Sequence, residues 1–186
     1  MTDFDDALRG ALSETQAALA GIDQSQIVQA CETIAGAGAI VLYGCGREGL
    51  MMRALAMRLH HLGCRVAMQG DMNCPPVGAG DLFLCSAGPG ALSTVTALMQ
   101  VAEQAGAKVL LLTAEPEADC AVHAGQTVLI PAQTMARDQG AGAGVLPMGS
   151  VYEAALFFLF EIMVLRLRDL LGQSSEAMRA RHTNLE

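Results

Sequence analysis

VLYGCGREG, residues 41–49, ends an apolar run in three glycines spaced G-x-G-x-x-G. That spacing marks a turn in which a strand feeds a helix whose N-terminal amides can hold a phosphate. A strand over 39–43 and a helix over about 49–62 follow from it. Upstream, Phe4, Leu8, Ala11, Leu12, Thr15, Ala18, Leu19 and Ile22 recur at helical spacing, and a second helix fits 24–36. Downstream, RVAMQ (65–69), DLFLCS (81–86), KVLLLT (108–113) and TVLIP (127–131) read as short strands. A helix over about 92–105 and a short one after Pro116 separate them. Solid apolar strands alternating with helices indicate an α/β domain with a five-stranded parallel sheet, covered by helices on both faces in three layers.

The chain thus divides into N-terminal helices (1–37), a parallel sheet core (38–131), a Gly/Ala-rich loop (132–149), and a helix with a polar tail (150–186). Structureless loops of that length usually carry function, so 132–149 is expected to be an active-site loop. The helix of about 150–171 is apolar around most of its circumference, which predicts burial in an oligomer interface as well as in the core.

Composition narrows the partners. A net charge of −8 leaves no basic footprint for nucleic acid or an anionic membrane surface. Residues 154–165 are almost continuously apolar, but the run contains Glu161 and falls short of the roughly 20 residues of a bilayer span. The start, MTDFDDALRG, is acidic and lacks the basic and apolar regions of a signal peptide. The six cysteines show neither C-x-x-C pairs nor Cys/His metal spacing, which suits a reducing compartment. A cytoplasmic protein without a metal site is expected.

The glycine turn admits two ligands. A dinucleotide needs an acidic residue about 20 positions on, at the end of the next strand. Gln69 stands there, with Asp71 two residues later, and five strands leave little chain for a second mononucleotide half. The second turn, SAGPGALST (86–94), also follows a strand and opens a helix. Two such turns side by side make a pocket for one phosphate and the polar chain attached to it. The candidate phosphate-binding residues are Gly44, Gly46, Ser86, Gly88, Gly90, Ser93 and Thr94. The plainer alternative is that these glycines only permit tight turns.

The order GCGREG (44–49), AMRLHHLG (56–63), a small-residue turn after DLFLCS, LPMGSVYE (146–153) and RHTNL (181–185) resembles the sugar isomerase (SIS) domain family. P-M-G-x-x-[FY]-E and the terminal R-H-x-N-L are its specific parts. Within the family the chain is most similar to members that interconvert 3-hexulose 6-phosphate and fructose 6-phosphate in the ribulose monophosphate route. The resemblance implies a flavodoxin-like fold, a homotetramer, a sugar phosphate substrate and no cofactor. By motif match it implies Glu153 as the catalytic carboxylate, His182 as a catalytic histidine in its own or a neighbouring subunit's site, and Arg47 and Ser150 as substrate-binding residues. Two departures stand out. Glu48 replaces the usual serine of the first turn, and Pro89 the central serine of the second. Each removes a hydroxyl, Pro89 removes an N–H as well, and Glu48 is expected to face solvent.

Moving a carbonyl to a neighbouring carbon needs one base to take a proton and return it across an enediol. Glu153 suits that task, although S-x-x-E over 150–153 also fits a capping box with Ser150 as N-cap. On its residues alone, His182 lies on a polar tail where a solvated histidine is ordinary. His60 and His61 read as helix-end residues, His123 as a surface residue, Arg58 as structural and Cys45 as packing. An isomerase, a non-catalytic phosphosugar sensor and a dinucleotide enzyme remain as alternatives.

Overall fold

The computed structural model describes residues 3–138 and 144–185. The chain runs through α1 (Phe4–Ala20), α2 (Gln24–Ala35), β1 (Ile40–Gly44), α3 (Gly46–His61), β2 (Val66–Met68) and β3 (Leu82–Ser86). It continues through α4 (Ser93–Gln104), β4 (Lys108–Thr113), a 3-10 turn (Asp119–His123), β5 (Gln126–Leu129), α5 (Ser150–Leu170) and α6 (Ser175–Ala180). Asp3 and Asp23 cap α1 and α2 by accepting from the amides two residues on.

All four strand pairings are parallel, in the order β2-β1-β3-β4-β5. Strand residues alternate between two cores. Ile40, Leu42, Leu82, Leu84, Leu110 and Leu112 pack against α1, α2, α3 and α5. Val41, Phe83, Cys85, Val109 and Leu111 meet Val95 and Met99 of α4 and Cys120. Each fully buried leucine of this kind contributes about 1.5–3 kcal/mol relative to exposure, which is why the strands read as unbroken apolar runs.

The chain leaves β1 outward to β2 and then returns to the other side of β1 as β3, so strand order reverses between β1 and β3. Ligands of open α/β sheets collect outside the strand ends at such a point. Gly44 and Ser86 are register partners there, which sets the two glycine turns next to each other. Gly49 makes the first turn possible: a Cβ on it would stand 2.5 Å from the Gly44 carbonyl oxygen.

Two features differ from the sequence reading. Helix α3 starts at Gly46, three residues earlier than the spacing predicts, because the turn itself is the helix's first turn. The short helix read after Pro116 is present as a 3-10 helix, Asp119–His123. The C-terminal segment is not simply a polar tail. Ser174 caps α6, and Arg181 then donates to the His61 carbonyl and to Gln173, docking the segment on the end of α3. No helix among the described residues is long and apolar enough to cross a membrane. Helix α5 buries one side in the core and exposes Phe158, Ile162 and Leu165, which fall on one stripe of the other.

Candidate active site

Helix α3 turns Glu48, Met52, Leu55 and Leu59 to the same side, and all four are buried. Glu48 therefore points inward beneath the second turn, which corrects the expectation that it faces solvent. Its Oε2 accepts from Ser86 Oγ at 2.5 Å and from the Gly88 N–H at 3.0 Å. Ser86 Oγ lies 3.2 Å from the Tyr152 hydroxyl, and Tyr152 is 1% exposed. With Glu48 ionised, the order of donors is fixed: Tyr152 donates to Ser86, and Ser86 to Glu48. Burial pushes the Glu48 carboxyl above its ordinary range, while the bonds from Ser86 and Gly88 pull it back. Burial raises the Tyr152 phenol as well, and the neighbouring Glu48 charge adds to that.

Next to Glu48 on the same turn, Arg47 reaches out to the N-terminus of α5. Its Nε stands 3.1 Å from Glu153 Oε2, and its other nitrogens donate to Ser150 Oγ at 3.0 Å and to the Met148 carbonyl. The Glu153 side chain is 17% exposed against 49% for Arg47. Burial raises the Glu153 carboxyl; Arg47 opposes this and the Glu48 charge adds to it.

The capping box does not form. Gly149, at φ 80°, is the N-cap of α5, and Ser150 Oγ donates back to the Pro147 carbonyl at 2.7 Å. Met148 before it also lies in the left-handed region, at φ 56°, a conformation that costs a non-glycine residue on the order of 1–3 kcal/mol. Asp138, accepting from the Met148 N–H at 3.0 Å, and Arg47, holding its carbonyl, keep it there. Glu153 is thereby left free of capping duty and turned to Arg47.

Glu48, Tyr152 and Glu153 share a cavity of about 30 Å³, closed by Pro89, Met135 and Met148. That is room for about one water. Both flanks of the loop 132–149 reach this cavity; its residues 139–143 lie outside the described residues.

Of the residues singled out in the sequence, Gly44, Gly46, Arg47, Ser86, Gly88, Ser150 and Glu153 come together here. Gly90 does not: a Cβ on it would meet Glu115 and Ala118 instead. Ser93 and Thr94 are exposed on the first turn of α4 and do not line the cavity. Here the chain has already turned away from Glu48 to enter α4 at Ser93. His182 stacks on His61, ring centroids 5.2 Å apart, at the far end of α3. At 1.5 Å per residue that end is about 20 Å from Arg47, so His182 does not join Glu153 within its own chain. Arg58 pairs with Glu161 at 3.0 Å and links α3 to α5, and His123 pairs with Glu103 at 2.8 Å on the surface. Among the described residues, no three His, Cys, Asp or Glu side chains cluster as a metal site requires.

One site residue was given no role in the sequence reading, and another was placed on the wrong side. Tyr152 lay inside the quoted P-M-G-x-x-[FY]-E motif without a role. Glu48 carried a legible signal in its spacing to Met52, Leu55 and Leu59.

Comparison with known proteins adds three findings. The family model of the SIS domain matches residues 33–157. The 3-hexulose-6-phosphate isomerase of Mycobacterium gastri is 35% identical, over 90% of this chain and 83% of its own length. That of Bacillus subtilis (strain 168) is 30% identical over 94% and 95%. Among solved structures, a hypothetical protein of Methanococcus jannaschii, from whose structure 3-hexulose-6-phosphate isomerase activity was inferred, superposes with a TM-score of 0.84. It is 20% identical, covering 97% of this chain and 99% of its own.

Proposed function

From a chain that belongs to the SIS domain family we propose a phosphosugar isomerase, one that converts 3-hexulose 6-phosphate to fructose 6-phosphate. The observation that carries the chemistry is the mostly buried Glu153 carboxylate, held 3.1 Å from Arg47 in the cleft at the ends of β1 and β3.

In this reading Glu153 takes the proton from C2 of the hexulose, beside the C3 carbonyl. The electron pair left behind forms the C2–C3 enediol. Glu153 then returns the proton to C3 as the C2 hydroxyl becomes the carbonyl. A single carboxylate serves both transfers, and its upward shift by burial brings it closer to the pKa of the carbon acid it must deprotonate. The conversion is internally redox-neutral and calls for no external electron acceptor. The hydroxyl proton moves separately, and His182 of a neighbouring subunit is assigned to that step. The exposed α5 stripe of Phe158, Ile162 and Leu165 supports a homo-oligomer. A cytoplasmic place in the ribulose monophosphate route goes with the substrate.

A hexulose phosphate does not fit in 30 Å³. The sugar therefore extends beyond this cavity, along the segments bearing Met135 and Met148 that border it.

The test is solvent deuterium exchange into fructose 6-phosphate. Glu153→Gln abolishes exchange while leaving the circular dichroism and melting temperature near those of the parent chain. Exchange retained by a folded E153Q protein removes Glu153 from the mechanism. Ligand-induced thermal stabilisation without any turnover would instead leave a sugar phosphate sensor.

A further inference from the structure

An anion already occupies part of the site: the Glu48 carboxylate. Resting on the phosphosugar reading above, we infer that Glu48 is a built-in occupant of the phosphate seat, which a ligand's phosphate must displace or find protonated before it reaches Ser86 and Gly88 of the second turn.

The donor inventory of that turn carries the argument. The Ala87 N–H donates to the Leu112 carbonyl, the Gly88 N–H to Glu48 Oε2, and the Gly90 N–H to the Ala87 carbonyl. Pro89 has no N–H to give. The Ser86 hydroxyl, wholly buried, is also spent on Glu48 Oε2. Between Ser86 and Gly90, then, the two donors facing the cleft both end on one carboxylate oxygen. The other oxygen, Oε1, lies within 3.0 Å of where a Gly88 Cβ would stand, and the Tyr152 ring closes the same spot at 2.8 Å. A phosphate dianion and an ionised Glu48 cannot share two donors in so small a space.

The groups around Glu48 set the direction of its effect. Cys85 and Ser86 of β3 and Tyr152 and Glu153 of α5 face it, and the neighbouring cation on its own helix, Arg47, is paired with Glu153. Protonation of Glu48 removes the competing charge, so anion affinity rises as pH falls. A neutral or shorter side chain at 48 should have the same effect at any pH. The side chain at position 48 thus tunes how tightly this chain holds its substrate's phosphate, without being the carboxylate that does the chemistry.

Inorganic sulfate is a suitable probe, because it stays a dianion from mildly acidic to mildly basic solution and its own charge does not change while the raised Glu48 carboxyl titrates. Its affinity is measured by titration calorimetry for the full chain and for the E48Q and E48S variants. We expect the parent chain to bind sulfate more tightly as pH falls. At pH 8 both variants should bind at least about tenfold tighter than the parent and show little pH dependence. Variants that bind sulfate no better than the parent, or not at all, overturn the inference, as does a flat pH profile in the parent chain. The last measurement needs no variant to fold. Turnover of 3-hexulose 6-phosphate is followed separately. A chain with no turnover whose variants gain sulfate loses the isomerase reading and keeps this one; a chain with turnover whose variants gain nothing does the reverse.

Discussion

Replacing Arg47 with methionine isolates what the cation does for Glu153. The two side chains meet at 3.1 Å, with Arg47 half exposed and Glu153 largely covered. Opposite charges about 4 Å apart attract by about 1 kcal/mol in water and about 4 kcal/mol at an effective dielectric of 20. Solvent screening of an exposed guanidinium pulls the figure toward the low end, to about 1.4 kcal/mol, or about one pKa unit. Removing Arg47 leaves burial and the Glu48 charge, both of which raise the Glu153 carboxyl. Its pKa therefore moves further up. The base works as the carboxylate, so the acidic limb of the kcat/KM profile shifts about one unit to higher pH. Well below that limb the variant loses a further tenfold in rate, beyond any change in its plateau. Arg47 also holds Met148 and Ser150, so plateau height falls for a second reason; the position of the limb is the diagnostic. Arg47→Lys keeps the charge without the fork, and should keep the limb near its original place while lowering the plateau. The assay couples fructose 6-phosphate formation to a dehydrogenase across a pH series. A limb that stays put or moves to lower pH in the methionine variant refutes the electrostatic role given to Arg47.

Glu48 is raised above its ordinary value of 4.5, so its stabilising contribution is present below that pH and is lost as pH rises through its folded pKa. Glu48→Gln should then melt roughly 2–4 °C higher near pH 8 and lose the advantage near pH 4.5, as a pH series of thermal melts would show. Gly88→Ala puts a Cβ 2.8 Å from the Tyr152 ring and 3.0 Å from Glu48 Oε1. Overpacking of that kind costs about 1–3 kcal/mol, and an unchanged melting temperature would contradict the closeness of this contact. If His182 completes a neighbour's site, E153Q and H182A proteins, each inactive, should regain roughly a quarter of the parent activity when unfolded and refolded together, because random pairing rebuilds that share of intact sites. No recovery on mixing would confine each site to its own chain.

The sheet was readable because both of its signals are local. Strands buried on two faces must be apolar at every position, and a strand meeting a helix as closely as Gly44 meets Gly49 tolerates no side chain there. What surrounds the cleft was less readable, for a different reason in each place. Ser150 looked like an N-cap because S-x-x-E fits the pattern, yet the cap depends on the backbone before it. Once Met148 and Gly149 both turn left-handed, the cap passes to Gly149 and the serine faces Arg47. Gly90, Ser93 and Thr94 were grouped with the phosphate turn by proximity in sequence, but α4 begins at Ser93 and carries both hydroxyls onto its exposed first turn, while Gly90 packs beside Glu115 and Ala118. His182 sits at the wrong end of α3 for its own Glu153, and no single-chain pattern encodes which subunit a tail will serve.

Glu48 is the instructive case, since its position was legible and its charge argued against the position. Spacing to Met52, Leu55 and Leu59 placed it on the buried stripe, whereas a lone carboxylate is ordinarily assigned to solvent. Burying a carboxylate is tolerated only where donors await it, and a strand end opening into a glycine-rich turn is where backbone amides and a hydroxyl are left over. An acid on the inward face of a phosphate-binding helix is therefore informative in itself. It implies that the neighbouring turn has donors to spare, and that an incoming anion meets a resident one already in place.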